Sequence, residues 1–340
     1  GKYTMEEKKE MFPHLFNSLS IVIPVLSSTF ASVGRFLKHA GNMSLGMLII
    51  DESGQAVPQS ALGAIYRTRR AVVVGDPLQV EPVVTIPKVL IDILADSTCV
   101  ANEYKVIENS AQTFADNINE FNGMIGERQV GCPLVVHRRC IEPMFSISNL
   151  ISYDNRMFNK TNKKEEYLKP ENPFLIKKSG WINVEGVENG GKDHFVKNQA
   201  ERVCQLMEDA VHIYSDLFET DDKIFIITPF RTVAESMRKF IISYFSAKGY
   251  DKEILSKWTK NCVGTVHTFQ GKDANEVLLV LGCSNKSAGA MNWVVKKANI
   301  LNVACTRAKY RIAFIGNIND WKNRRYFREF IPNLIDIINV

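Results

Sequence analysis

Two apolar runs in this chain break off abruptly into residues that can do chemistry. Leu48-Ile49-Ile50 is followed at once by Asp51-Glu52-Ser53-Gly54-Gln55. A carboxylate at the end of a buried strand can hold Mg²⁺ through water, and a neighbouring one can orient or deprotonate an attacking water. A lone Asp-Glu pair is more often the acidic start of a helix, where free N–H groups favour negative charge. One run later, Val72-Val73-Val74 leads into Gly75-Asp76-Pro77-Leu78-Gln79. Glycine lets backbone approach a ligand closely, and Gln79 could hydrogen-bond a terminal phosphate oxygen. Alone, Gly-Asp-Pro is more often a plain turn. Two such loops with matching residue types on consecutive runs are much rarer by chance than either one.

The elements that must carry these loops are legible as short β-rich runs. They are Met47–Ile50, Ala71–Val74, Ile224–Ile227, Val277–Leu281 and Ile312–Ile315. Runs this apolar predict strands buried on both faces, as in parallel sheets. Helical periodicity lies between them at Asn198–Tyr214 and Thr232–Phe245, and Asn198 with Glu201 three residues on predicts a capping box. Alternating strands and helices imply doubly wound α/β domains with ligands at the carboxyl ends of the strands. No strand run occurs from about Ala101 to Gly126. That places a junction at 106–125, between a first domain at 1–105 and a second at 126–340. Residues 154–172 are polar and charged and predict an exposed loop, and no internal repeat is visible.

Composition narrows the classes. The 340 residues are 45% hydrophobic and 23% charged, as in a soluble globular protein with real cores. No apolar run approaches the roughly 18 residues that span a bilayer, so no membrane partner is expected. The seven cysteines are scattered without a C-x-x-C pair, which points away from a zinc site or a disulfide framework and toward free thiols in a reducing cytoplasm. Residues 1–125 carry 10 Lys and Arg against 13 Asp and Glu; residues 126–340 carry 32 against 24. The basic second part suits a polyanion, although most such excess is solvated surface.

Asp-Glu-x-x-Gln followed by Gly-Asp-x-x-Gln resembles motifs II and III of superfamily 1 helicases, in the branch that contains the nonsense-mediated-decay helicase. The other motifs follow in family order. Val135-Val136-His137-Arg138-Arg139-Cys140 stands where that group has Gln-Tyr-Arg-Met-His, motif IV, and Ile227-Thr228-Pro229-Phe230 resembles its Thr-Pro-Tyr segment. Gly264-Thr265-Val266-His267-Thr268-Phe269-Gln270-Gly271-Lys272-Asp273 resembles motif V, and Leu301-Asn302-Val303-Ala304-Cys305-Thr306-Arg307-Ala308 resembles motif VI. Upstream, Ser27–Ala31 resembles the segment before motif II. The resemblance covers roughly residues 20 to 320. Asp273 replaces the usual Glu, His137 the usual Tyr, and Arg139-Cys140 the usual Met-His, changes that bear on base recognition and coupling.

The phosphate-binding loop G-x-x-x-x-G-K-[ST] does not occur in residues 1–50. The near match Gly186-Val187-Glu188-Asn189-Gly190-Gly191-Lys192-Asp193 carries Asp193 in place of the Mg²⁺-binding hydroxyl and a second negative charge at Glu188, and is expected to be a turn. Gly1 is expected to be an internal cut within the first domain.

The resemblance implies two RecA-like α/β domains of the P-loop NTPase type, the second complete and the first represented by its later half, with ATP between them and Mg²⁺ as cofactor. It implies that Asp51 holds Mg²⁺ through water, Glu52 is the general base, Gln55 links hydrolysis to movement and Gln79 senses the γ-phosphate. Arg138 and Arg307 would act as arginine fingers; His137, Gly271 and Asp273 would lie at the nucleotide. Thr228, Thr265 and Thr268 would hold a backbone of single-stranded DNA or RNA, with helix capping an equally good account of each hydroxyl. The expected activity is ATP-driven translocation by the intact motor, with little or none from these 340 residues without the missing N-terminal part. The alternative is a nucleic-acid- or protein-binding module that has lost catalysis; the joint presence of Asp51, Glu52, Gln79, Arg138 and Arg307 favours the motor.

Overall fold

The computed structural model describes residues 2–101, 104–105, 109–126, 128–162, 174–190 and 193–339. The chain forms two compact units, Gly1–Pro133 and Leu134–Val340. In the first, strands β1 (Leu45–Ile50) and β2 (Thr68–Val73) pair in parallel, with Ile50 opposite Val73. Parallel partners need a crossover, supplied by the helix Pro58–Tyr66, whose leading proline suits a first turn that has no use for its N–H. The core here is small: Ile50, Ala56, Ala61 and Ala111, with Phe30, Leu48 and Val73 against it. Burial on both strand faces, expected from the apolar runs, fails in this unit. Met47 and Ile49 are 59% and 66% exposed, because only one face of the β1–β2 pair is packed.

The junction expected at 106–125 also falls elsewhere. Ser110 caps the helix Ala111–Ile118, accepting the Thr113 N–H at 3.2 Å, and the Ala111 N–H donates to the Ala56 carbonyl at 2.8 Å. A hairpin of β3 (Gly123–Ile125) and β4 (Arg128–Val130) follows, with Arg128 Nη2 donating to Thr113 Oγ1 at 2.7 Å. Helix and hairpin thus belong to the first unit, and the division comes at Pro133. Short polar-flanked elements of this kind leave no apolar strand signature.

The second unit begins with the short parallel pair β5 (Val136–His137) and β6 (Phe158–Asn159). Its main sheet comprises β7 (Gly180–Asn183), β8 (Ile224–Thr228), β9 (Val263–Thr265), β10 (Ala274–Val280), β11 (Ala308–Gly316) and β12 (Asp336–Asn339). The strand order is β12-β7-β11-β10-β8-β9, and every pairing is parallel. This is the RecA-like α/β arrangement. The two-face burial rule holds here, since β8 is buried at every position. Trp181 anchors the core: its ring stacks on Phe314 at 5.7 Å and its Nε1–H donates to the Gly316 carbonyl at 2.8 Å.

The helix expected at Asn198–Tyr214 runs Lys197–Ile213, and the capping box does not form. The helix starts one residue early, so Asn198 lies in the first turn and its Nδ2 donates to the Glu185 carbonyl, while Glu201 pairs with Lys197 at 3.1 Å. Residues 163–172 of the expected polar loop lie outside the described residues. Among the described residues, no helix is long and apolar enough to cross a membrane.

A fully buried Glu276 in β10 ties the segment ahead of β7 to the sheet. Its Oε1 accepts the Leu175 N–H at 3.0 Å and the Tyr214 hydroxyl at 2.6 Å, and its Oε2 accepts the Ile176 N–H at 2.6 Å. Burial pushes this carboxyl above its ordinary value, against the pull of Tyr214, Ile176, Leu175 and Arg311. Replacing Glu276 with Ala strands three donors, each worth roughly 1–3 kcal/mol when left unmatched in the interior. Glu276→Ala should therefore lower the denaturation midpoint and speed hydrogen exchange at the Leu175 and Ile176 amides. Unchanged exchange at those two amides would show that the carboxylate does not hold the segment.

Candidate functional site

The loops after β1 and β2 interlock through backbone. The Ser53 N–H donates to the Val74 carbonyl at 2.9 Å, and the buried Ser53 hydroxyl lies 2.8 Å from that carbonyl and 2.6 Å from Gln112 Oε1. A Cβ on Gly75 would stand 2.6 Å from the Gly54 nitrogen, and one on Gly54 would stand 2.7 Å from the Asp76 carbonyl oxygen. The close approach that Gly75 permits is therefore to the neighbouring loop. It fixes the two carboxylate-bearing turns against each other.

On this base the side chains take defined places. Asp51 Oδ1 accepts the Glu52 N–H at 2.9 Å, and both carboxylates are exposed at the end of β1. Glu52 has φ +52°, a left-handed conformation uncommon away from glycine and often found where a functional side chain is aimed. Gln55 Nε2 donates to Glu52 Oε2 at 2.9 Å, and Gln79 Nε2 to Asp76 Oδ2 at 2.8 Å. Asp51, Glu52 and Gln55 thus share one turn, and Gln79 lies on the turn locked to it.

In the second unit, Arg138 is exposed and lines an open pocket of about 330 Å³ with Arg139, Lys160, Thr161, Lys309 and Tyr310. Two contacts shape its wall: the Thr161 hydroxyl donates to the Cys140 carbonyl at 3.0 Å, and the Ile141 N–H donates to the Lys309 carbonyl at 3.1 Å. Asp273 pairs with Lys309 at 2.7 Å, so it offsets one of the four cations. Lys160 and Lys309 belong to no motif; the only signal for them in the sequence is the basic excess after residue 125.

Three expected roles are altered by the structure. His137 is half-buried and turned into its own loop, where Nε2 accepts the Cys140 N–H at 3.0 Å, so its ring orders the arginine loop instead of offering a face to a base. Arg307 is fully buried, with Nε directed at the Val303 carbonyl (3.3 Å) and Nη1 at those of Phe269 (3.3 Å) and Lys272 (3.0 Å). It ties motif VI to motif V in place of projecting as a finger. Thr228 is 1% exposed at the end of β8, and its Oγ1 accepts the Phe230 N–H at 3.4 Å; burial withdraws this hydroxyl from a phosphate backbone. Thr265 and Thr268 differ: their hydroxyls lie 3.3 Å apart, Thr265 stands at the N-cap of the short turn Val266–Phe269 without a side-chain cap bond, and Thr268 is exposed. Gly271 is exposed at φ +75°, a conformation that glycine alone adopts without strain.

The described part of the near match at 186–193 is no phosphate cradle. Glu188 bridges Val196 in antiparallel fashion, and its carboxylate is buried beside His194. Gly191 and Lys192 lie outside the described residues.

Known proteins similar to this chain place it in a family. Two family models, each described as an AAA domain, match residues 2–86 and 120–319. Mouse probable helicase senataxin is 22% identical over 93% of this chain, and an uncharacterized ATP-dependent helicase of Methanocaldococcus jannaschii is 24% identical over 95%. Regulator of nonsense transcripts 1 of Caenorhabditis elegans is 26% identical over 86%. The chain spans 11%, 43% and 26% of the length of these three relatives. The chain belongs to the AAA domain family and, within it, to the superfamily 1 helicases of the nonsense-mediated-decay helicase group.

The His137 environment makes a titration test. Burial, and then the neighbouring Arg139, hold its pKa below the ordinary 6.5, with Glu142 pulling the other way. A folded-state value below the unfolded one means that its stabilising contribution is present above about pH 6.5 and is lost as pH falls through the folded value. NMR titration should place the His137 midpoint below 6.5, and Arg139→Gln should raise it. A midpoint at or above 6.5 would mean that the ring is not held in this loop.

Proposed function

We propose that this chain is the motor region of an ATP-dependent nucleic-acid helicase or translocase that moves on single strands. The observation that carries this reading is the backbone interlock that presents Asp51, Glu52, Gln55 and Gln79 together at the carboxyl ends of adjacent parallel strands. Ligands of open α/β sheets bind at those ends. The relatives whose names include "helicase" or "ATP-dependent helicase" support the same class.

The Asp51 carboxylate, exposed and anchored through one oxygen, is the hard donor that Mg²⁺ prefers, and it would hold the ion through water. When bound, Mg²⁺ neutralises charge on the terminal phosphates. Glu52 takes the proton of the attacking water, with Gln55 orienting the carboxylate through Oε2. Gln79 exchanges its bond to Asp76 for one to the γ-phosphate and so reports its presence. Arg138, the exposed cation of the 330 Å³ pocket, stabilises charge on the transferring phosphoryl group. Arg307 is a positioning residue that holds the Phe269–Lys272 turn, and with it Gly271 and Asp273. Thr265 and Thr268 bond the phosphates of a single strand, contacts without sequence information.

Two outcomes test the proposal. The 340 residues hold no G-x-x-x-x-G-K-[ST] run, so by themselves they should turn over ATP slowly or not at all. Joined to the family's phosphate-binding segment, they should show turnover stimulated by single strands, abolished by Glu52→Gln and cut by about 10²-fold or more in kcat by Arg138→Ala. Nucleic-acid affinity without ATP should stay nearly unchanged in Arg138→Ala; an equal loss of both would remove Arg138 from the hydrolytic site. Robust turnover by the 340 residues alone, lost on Lys192→Ala, would instead make the 186–193 loop a phosphate cradle.

The second outcome concerns binding. The basic residues after position 125 should give weak, sequence-tolerant binding of single-stranded oligonucleotides, in the ~10⁻⁴–10⁻⁶ M range at physiological salt. Neutralising ~2–4 phosphates implies a log–log salt slope of roughly −1.5 to −3. Anisotropy titrations with labelled DNA and RNA at several salt concentrations give both quantities. No binding even at low salt would favour an accessory module that works through proteins.

A further inference from the structure

Three chain segments of the second unit meet at the carboxyl ends of β7 and β10: the turn of the 186–193 near match, the residue that follows it, and the loop after β10. Glu188 follows β7, His194 precedes the helix Lys197–Ile213, and Cys283 follows β10. One carboxylate oxygen, one imidazole nitrogen and the thiol sulfur of these residues lie within 4.8 Å of one another. Glu188 and Cys283 are 7% and 2% exposed, and the His194 ring packs against Phe230.

The backbone is built around this meeting. Glu188 bridges Val196, and the Cys283 N–H donates to the His194 carbonyl at 2.9 Å. Gly282 and Cys283 are both left-handed, at φ +61° and +56°, and a Cβ on Gly282 would stand 2.7 Å from the His194 carbonyl oxygen. A left-handed cysteine is uncommon and persists only where its surroundings over-determine it. The Ser284 hydroxyl donates to Glu188 Oε1 at 3.1 Å, leaving Oε2 facing His194 Nδ1 at 3.0 Å. Outer-shell partners orient metal ligands in this way. Next to His194, Asp193 has a buried Oδ1 without a hydrogen-bond partner among the described residues.

We infer that Glu188, His194 and Cys283 bind a divalent transition-metal cation of the zinc class, with water as fourth ligand. A carboxylate, an imidazole and a thiolate are the donors zinc takes, whereas Mg²⁺ and Ca²⁺ take oxygen. Bonds of ~2.0–2.3 Å around a tetrahedral ion put ligand atoms roughly 3.3–3.8 Å apart. Closing the present spread needs about 1 Å, within the reach of a side-chain rotation. Charge balances: the cation displaces the Cys283 thiol proton to solvent, and thiolate plus carboxylate neutralise its two charges. Without metal, burial and Glu188 push that thiol up to about 12. The Glu188 carboxylate is held at the site by Ser284 at one oxygen and faces His194 with the other. A metal-free Glu188–His194 staple would close the loop equally well, but it gives no reason for a strained, buried thiol beside it. The scattered cysteines hid this set, because its members lie up to 95 positions apart in the chain.

The test treats the 340-residue protein with chelator and titrates Co²⁺, then Zn²⁺. One equivalent of Co²⁺ should give thiolate-to-cobalt charge-transfer absorption and visible bands of a tetrahedral ion, both displaced by Zn²⁺. Cys283→Ser should remove the charge-transfer band and weaken Zn²⁺ binding by at least ~100-fold, the upper end of what losing even an outer partner costs. Cys132→Ser, which removes an exposed thiol, should keep the band. If Cys283→Ser does not fold, His194→Gln carries the test: it can still hydrogen-bond Glu188, so circular dichroism should be unchanged while the metal is lost. Absence of stoichiometric binding, a band that survives Cys283→Ser, or one that disappears with Cys132→Ser would each overturn the site.

Discussion

The paired loops after β1 and β2 rest on one close backbone approach. Gly54 meets Asp76 and Gly75 meets Ser53 and Gly54 at distances that no Cβ tolerates, and the atoms in the way are mostly backbone, which cannot swing aside. An alanine at either position must separate the loops. Since misplacement of reacting groups by about 1 Å can cost ~10² in rate, the requirement for glycine is a requirement of geometry before it is one of folding. The left-handed Glu52 and the buried Ser53 hydroxyl follow from the same approach: the chain must turn back within two residues of β1, and Ser53 holds the turn to Val74.

The two units support their sites by different means. The core under the first is largely alanine, so packing contributes little, and the hydrogen bonds of Ser53 and Gln112 do the positioning. Gln112 is held in turn by Asp116, 2.8 Å from its Nε2. The second unit hangs its loops from a six-stranded sheet with Trp181, Phe314, Phe327 and Phe330 fully buried beneath. Loops on such a base rest on aromatic packing, while Arg138 and Thr268 stay exposed on them.

How much of this the sequence revealed depends on whether the signal is local. Five strands announced themselves as apolar runs, and the order of motifs marked the loops between them. Burial across the chain is not a local property, which is why Thr228 and Arg307 read as surface groups while the fold encloses them. The Asn198–Glu201 pair matched a cap by spacing, but the Glu185 carbonyl, thirteen residues upstream, claimed Asn198. Lys160 and Lys309 carried no pattern at all; they meet in one pocket only because β6 and β11 bring them there. Motif letters report chemistry that a loop must do, and are silent about cations that neighbouring strands contribute.

The buried guanidinium of Arg307 constrains how the second unit can move. Its bonds to the Phe269 and Lys272 carbonyls cross from the end of helix Asn299–Thr306 to the turn that bears Gly271 and Asp273. Withdrawing it would leave these carbonyl acceptors unmatched in the interior, and a hydrogen bond to a charged group contributes roughly 1.5–3 kcal/mol. Helix and turn are therefore tied to each other. Asp273 in turn pairs with Lys309, which lines the pocket that holds Arg138. Thr268 stands one residue before Phe269, on the same turn. The turn that bears the threonine pair and the cationic pocket are thus joined by contacts that lie wholly within one unit.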